Sequence, residues 1–198
     1  MKPDYSRAAR LAYKSLLALH IDSFPVDPLV VLSYCKNTHV RTYDEIASRF
    51  GISDPAHLKW YYLDNRDAYT VRQEKSGVTL YELIYDSHVN PYRRRFTLAH
   101  ELGHIILNHR HEEWWEEQEA DCFAAQLLAP KPVFPLFTSY GTDMTNPETV
   151  SGIFGLSHAA SEIAARPTKQ DADPDISAML QAQFADHIAR FCDRSAAI

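Results

Sequence analysis

Two histidines four residues apart, His100 and His104, with Glu101 directly after the first, stand in the stretch "RRRFTLAHELGHIILNHRH", residues 93–111. On a helix that turns about 100° per residue, the two imidazoles fall about 40° apart on one face and can reach a single ion. Glu101 projects about 100° from His100, beside such an ion and not onto it, which suits a base acting on water at the metal. Leu98, Leu102, Ile105 and Ile106 form an apolar stripe opposite, so the helix is fixed against a core. A metal site needs that rigid support. A surface helix carrying two ordinary histidines would share the stripe, so the third ligand has to decide.

Zinc held by a protein takes at least three side-chain ligands. In one known pattern the third is a histidine six residues after the second, preceded by a glycine turn. Arg110 and Leu107 occupy those two positions here, so that pattern fails. His109 would lie about 140° round the helix from His104, and His111 stands where the helix should be ending, so both read as surface histidines. The other source is a carboxylate from a second helix, and "EEWWEEQEADCFAAQLLAP", residues 112–130, offers several. Glu117, Ala120, Asp121 and Ala124 share one face at three- and four-residue spacing. The alanines let this helix approach the histidine helix closely. Glu117 is then the candidate ligand, and Asp121, one turn on, would accept the outer N–H of a metal-bound imidazole. Glu119 competes with Glu117 for the ligand role, although its direction, about 160° from that of Asp121, better suits solvent or a backbone group. Glu112, Glu113 and Glu116 read as a solvated face. Two imidazoles and one carboxylate suit Zn2+.

The elements that must position these residues follow from periodicity. Ala8, Leu11, Ala12, Leu16 and Leu19 mark an amphipathic helix from Tyr5, ended by "DSFPVDP". Shorter helices are expected at "DPLVVLSYCKN" and "TYDEIASRFGIS", the latter with Thr42 and Glu45 at capping-box spacing. "AYTVRQEKSGVTLYELIYDSH" reads as a hairpin turning at Lys75–Gly77, the core of a small antiparallel sheet. Pro130 and Pro132 stop the acidic helix, and a proline-punctuated loop runs to about Met144. A last helix is expected from Asp173 as N-cap, with Ile176, Leu180, Phe184, Ile188 and Phe191 as one core stripe.

Composition sets the bounds. A chain of 198 residues, 45% hydrophobic, is expected to form one compact unit over 1–198. Its parts would be a helical segment (1–60), the small sheet (61–90), the zinc-site helices (91–130) and a helical C-terminal part (131–198). The net charge of -6 provides no global field for nucleic acid. Three scattered cysteines, Cys35, Cys122 and Cys192, form no metal or disulfide framework and fit a reducing cytoplasm. No apolar run is long enough to span a bilayer. "IASRFGIS" (46–53) and "SGIFGLSHAASEIAAR" (151–166) each resemble a helix, a glycine turn and a second helix, the germ of a DNA-binding alternative. The flanking cations are few, with only Arg166 and Lys169 near the second.

"HELGH" followed by "EQEADCFAAQLLAP" resembles the ImmA/IrrE family of metallo-endopeptidases, and the likeness extends to "SFPVDPLVVLSYC", covering roughly residues 8–130. The family's usual Met before the proline is Ala129 here. The spacing of Glu117, Asp121 and Phe123 is similar to the gluzincin arrangement, and the resemblance therefore favours Glu117 as ligand and Asp121 behind it. It implies a small zincin-like α+β domain, mostly helical, with the sheet packed on the active-site helices. It also implies cleavage of a helix-turn-helix transcriptional repressor in the cytoplasm. Such a peptidase would use Zn2+ on His100, His104 and Glu117, with Glu101 taking the water proton and returning it to the leaving amine. Tyr85, His88, Tyr92, Tyr140 and His158 are candidates for an oxyanion donor. Arg93, Arg94 and Arg95 are either an acidic-substrate contact or a solvated run. The alternative is a zinc-containing regulatory or DNA-binding module without peptidase activity.

Overall fold

The computed structural model describes residues 2–62, 64–111, 113–166 and 173–195. The fold is α+β, mostly helical with a small three-stranded sheet. Helix α1 (Tyr5–Ala18) begins where Asp4 accepts the N–H of Arg7 at 2.9 Å. Helix α2 (Pro28–Ser33) is short and has Asp27 as its cap. Strand β1 (Thr38–Thr42) runs directly into α3 (Tyr43–Phe50). Both bonds of the expected capping box form there: Glu45 N–H to Thr42 Oγ1 at 3.1 Å, and Thr42 N–H to Glu45 Oε2 at 2.7 Å. Helix α4 (Pro55–Tyr62) follows. Strands β2 (Ala68–Lys75) and β3 (Val78–Tyr85) form the expected hairpin. Its turn residues, Ser76 and Gly77, both have positive φ (53° and 77°), the backbone that matches strand twist across a two-residue connection.

The sheet differs from expectation in one strand. β1 pairs with β3 in parallel, giving the order β1-β3-β2 and a mixed sheet. "THVRT" holds a single large apolar residue, Val40, too little for alternation to register. Period two then divides the faces. Leu83 enters the main core, whereas Ile84 packs on a second cluster of Tyr43, Ile46 and Leu58 from α3 and α4. The hairpin strand β2 is left at the edge.

Helices α5 (Pro91–Leu107) and α6 (Trp114–Leu128) carry the chemistry and pack directly on each other. The alanine face of α6 is fully buried at Ala120 and Ala124. A Cβ on Gly103 would sit 3.1 Å from Ala120 Cα, so the two helix backbones approach closely where a glycine faces an alanine. Where the sequence suggests a loop to Met144, a 3-10 turn (Lys131–Val133) leads into α7 (Phe134–Ser139). Pro132 and Pro135 both lie in first-turn positions, where a missing N–H costs no hydrogen bond. Helices α8 (Pro147–Phe154), α9 (His158–Ala165) and α10 (Pro174–Ser195) complete the chain. Asp173 accepts the Asp175 N–H at the start of α10. Its buried row advances in four-residue steps from Ile176 through Leu180, Phe184 and Ile188 to Cys192. Phe191, expected in that row, is 36% exposed and meets Phe137 edge-on. One continuous core joins Leu16 of α1, Leu102 of α5, Leu127 of α6, Phe154 of α8 and Phe184 of α10; each such side chain contributes roughly 1.5–3 kcal/mol by burial. Among the described residues, no helix is long and apolar enough to cross a membrane.

Candidate metal centre

Helices α5 and α6 form the floor of a cleft of about 1250 Å³. The free edge of β2 walls one side and α9 the other. From α5, His100 and His104 project into it with Nε2 atoms 3.0 Å apart. Glu117 of α6 faces both, with Oε2 3.3 Å from His100 Nε2 and Oε1 3.4 Å from His104 Nε2. These three side chains place one donor atom each within 4.8 Å of one another. Donors bound tetrahedrally at about 2.0–2.1 Å from a zinc ion stand about 3.3 Å apart. The observed spacings of 3.0–3.4 Å therefore suit one small ion, and the donor set of two neutral imidazoles and one carboxylate suits zinc.

The surroundings tune these donors. Asp121 Oδ1 lies 2.8 Å from His100 Nδ1. Burial works against the charged imidazolium of His100, but the Asp121 and Glu117 carboxylates outweigh it and raise the pKa to about 9. His104 moves the other way, lowered by burial and by the neighbouring His100. Glu117 is held below the ordinary carboxylate range by its hydrogen bond to His100. Glu101 lines the same cleft, and loss of hydration pushes its carboxyl above the ordinary value. A carboxylate poised nearer neutrality is better matched to accepting and then returning a proton.

Glu119 goes elsewhere. It is buried, its Oε1 accepts the Asp4 N–H at 2.8 Å, and its Oε2 lies 3.2 Å from His109 Nε2 and 3.4 Å from Arg7. The backbone partner expected for it is present; solvent is not its environment. Two further expectations are corrected. His109 is 7% exposed and not a surface histidine, because α5 ends one residue before Asn108, whose left-handed φ of 56° turns the chain back under His104. Glu116 is also buried, accepting the N–H groups of Arg110 and His111 at 3.1 Å each. Glu113 is exposed as expected, and Glu112 lies outside the described residues.

None of Tyr85, His88, Tyr92, Tyr140 and His158 is among the residues lining the cleft. Four arginines do line it, Arg66, Arg72, Arg93 and Arg110; of these Arg66 is stacked over the Tyr69 ring at 5.3 Å and is close enough for its charge to act on Glu101 and Glu117. Sequence reasoning missed it, because a lone arginine ahead of a strand carries no pattern. The arginine run is only partly solvated: Arg93 pairs with Asp67 but stays 69% exposed, whereas the half-buried Arg94 donates to Ser87 O at 2.6 Å and Arg95 donates to Gly155 O. The two suspected helix-turn-helix segments are helical corners at Gly51 and Gly155. In the second, Ala160, Ile163 and Ala164 of α9 turn toward the cleft. Lys169 lies outside the described residues.

No curated protein matches the chain. The family model described as the IrrE N-terminal-like domain matches residues 63–165, more than half of the chain and the whole of the site just described. The chain therefore belongs to the IrrE N-terminal-like family of metal-dependent peptidases.

Proposed function

We propose that the protein is a zinc-dependent endopeptidase acting in the cytoplasm on a protein substrate, a helix-turn-helix transcriptional repressor. The observation that carries this reading is the convergence of His100, His104 and Glu117 within 4.8 Å on the floor of an open cleft, with Glu101 beside them. When bound, the zinc ion supplies a Lewis acid that polarises the scissile carbonyl and lowers the pKa of water. His100, His104 and Glu117 hold it, and Asp121 orients the His100 ring through Nδ1. Glu101 accepts the proton of the attacking water and delivers it to the leaving amine. The outer edge of β2, from Ala68 to Arg72, lines the cleft, and its unpaired backbone groups would receive an extended substrate segment as an added strand. Arg66, whose charge already acts on Glu101 and Glu117, would steady negative charge on the carbonyl oxygen.

The test is incubation of the zinc-loaded protein with a panel of purified helix-turn-helix repressors and with denatured casein, the fragments being mapped by mass spectrometry. One discrete internal cut in a repressor, slowed about 10²–10⁴-fold by Glu101→Gln, is the expected result. Cleavage that Glu101→Gln leaves unchanged contradicts the mechanism. Cleavage of casein alone contradicts the repressor assignment, and intact substrates throughout contradict the peptidase reading.

A further inference from the structure

The two histidines of the centre are held from behind by different devices. His100 meets a carboxylate directly, whereas His104 meets another imidazole: its Nδ1 lies 3.0 Å from His109 Nδ1. We propose that His109, backed by Glu119, is a positioning residue that holds His104 in the tautomer and orientation required for metal binding. The inference rests on the metal-centre reading above.

A metal at His104 Nε2 needs that nitrogen bare, so the proton of the neutral ring must sit on Nδ1. His104 then donates Nδ1–H, and His109 Nδ1 must accept it. A neutral His109 consequently carries its own proton on Nε2, which points at Glu119 Oε2 at 3.2 Å. An ionised carboxylate only accepts, so Glu119 fixes the tautomer of His109, and His109 fixes that of His104. Both side chains are 3% exposed, which leaves little room for water to substitute. Glu119 is anchored in turn by the Asp4 N–H at 2.8 Å and by Arg7 at 3.4 Å, while Arg7 also donates to Leu107 O at 2.8 Å. The start of α1 and the last turn of α5 thereby clamp one end of the relay.

The experiment compares metal-free wild type with His109→Phe, His109→Asn and His109→Gln. Long-range ¹H–¹⁵N spectra above pH 9, where His100 is neutral and no second proton faces His104 Nε2 across the 3.0 Å contact, read the His104 tautomer, and competition with a chromogenic chelator reads the zinc Kd. Wild type is expected to show His104 protonated on Nδ1. His109→Phe should move that proton toward Nε2 and weaken zinc binding about 10–100-fold. Asparagine keeps an acceptor near the Nδ1 position and glutamine does not, so His109→Asn should bind zinc within about threefold of wild type and His109→Gln should resemble His109→Phe. Should His109→Phe fail to fold, the asparagine and glutamine variants carry the comparison. Equal zinc affinity and an unchanged His104 tautomer in those two overturn the proposal. A wild type that binds no zinc contradicts the metal centre itself, and the tautomer comparison then still decides the relay.

Discussion

Gly103→Ala probes the contact on which the site geometry depends. In a free helix the substitution stabilises by about 1 kcal/mol through propensity alone. Here the new Cβ would meet Ala120 Cα at 3.1 Å, Ala120 O at 3.2 Å and Phe123 Cδ1 at 3.2 Å. Two of these three atoms are backbone, so relief requires α6 to retreat by a few tenths of an ångström. Overpacking of this kind costs typically about 1–3 kcal/mol. With backbone on the other side, the cost should lie in the upper part of that range, leaving a net destabilisation of about 1–2 kcal/mol after the propensity gain. For a chain of this size that lowers Tm by roughly 2–8 °C, measured on metal-free protein by thermal unfolding. Because Glu117 lies one turn before Ala120 on α6, zinc binding should weaken as well. A rise in Tm of about 2–4 °C, the sign of unopposed propensity, would refute the close approach and the site geometry built on it.

Proton release should accompany zinc binding. His100 is protonated in the metal-free protein up to about pH 9 and must be neutral in the complex, whereas lowered His104 and Glu117 are already deprotonated at neutral pH. Affinity should therefore rise about tenfold per pH unit toward 9 and level off above it. Titration calorimetry in buffers of different ionisation enthalpy should find about one proton released near pH 7.5; none released would contradict the carboxylate-stabilised imidazolium. Asp121→Ala removes the acceptor 2.8 Å from His100 Nδ1 and should weaken zinc about 10–100-fold with the fold intact by circular dichroism. Unchanged affinity would mean that His100 needs no such orientation.

Much of the site is legible in local spacing, because one helix carries both histidines and the next carries the carboxylates. The periods of α5 and α6 bring His100, His104 and Glu117 together and put Asp121 behind His100, and the alanine face of α6 announces the close approach at Gly103. What escapes is whatever depends on the chain leaving the helix or on contacts distant in sequence. His109 is misplaced by helical geometry because Asn108 has already left the helix. The burial of Glu119 depends on Asp4 and Arg7, more than a hundred residues away. The free edge of β2 follows from the parallel pairing of β1, a strand too short and polar to declare itself. The α9 wall belongs to a helical corner whose glycine reads equally well as the turn of a DNA-binding motif.

Zinc stoichiometry tests the central claim most directly. Metal content by mass spectrometry would be measured on wild type, Glu117→Ala and Glu119→Gln after reconstitution with one equivalent of zinc and desalting. The account predicts one zinc per chain in wild type, its loss in Glu117→Ala, and its retention, at reduced affinity, in Glu119→Gln. Zinc kept by Glu117→Ala, or a wild type that retains none, would contradict it.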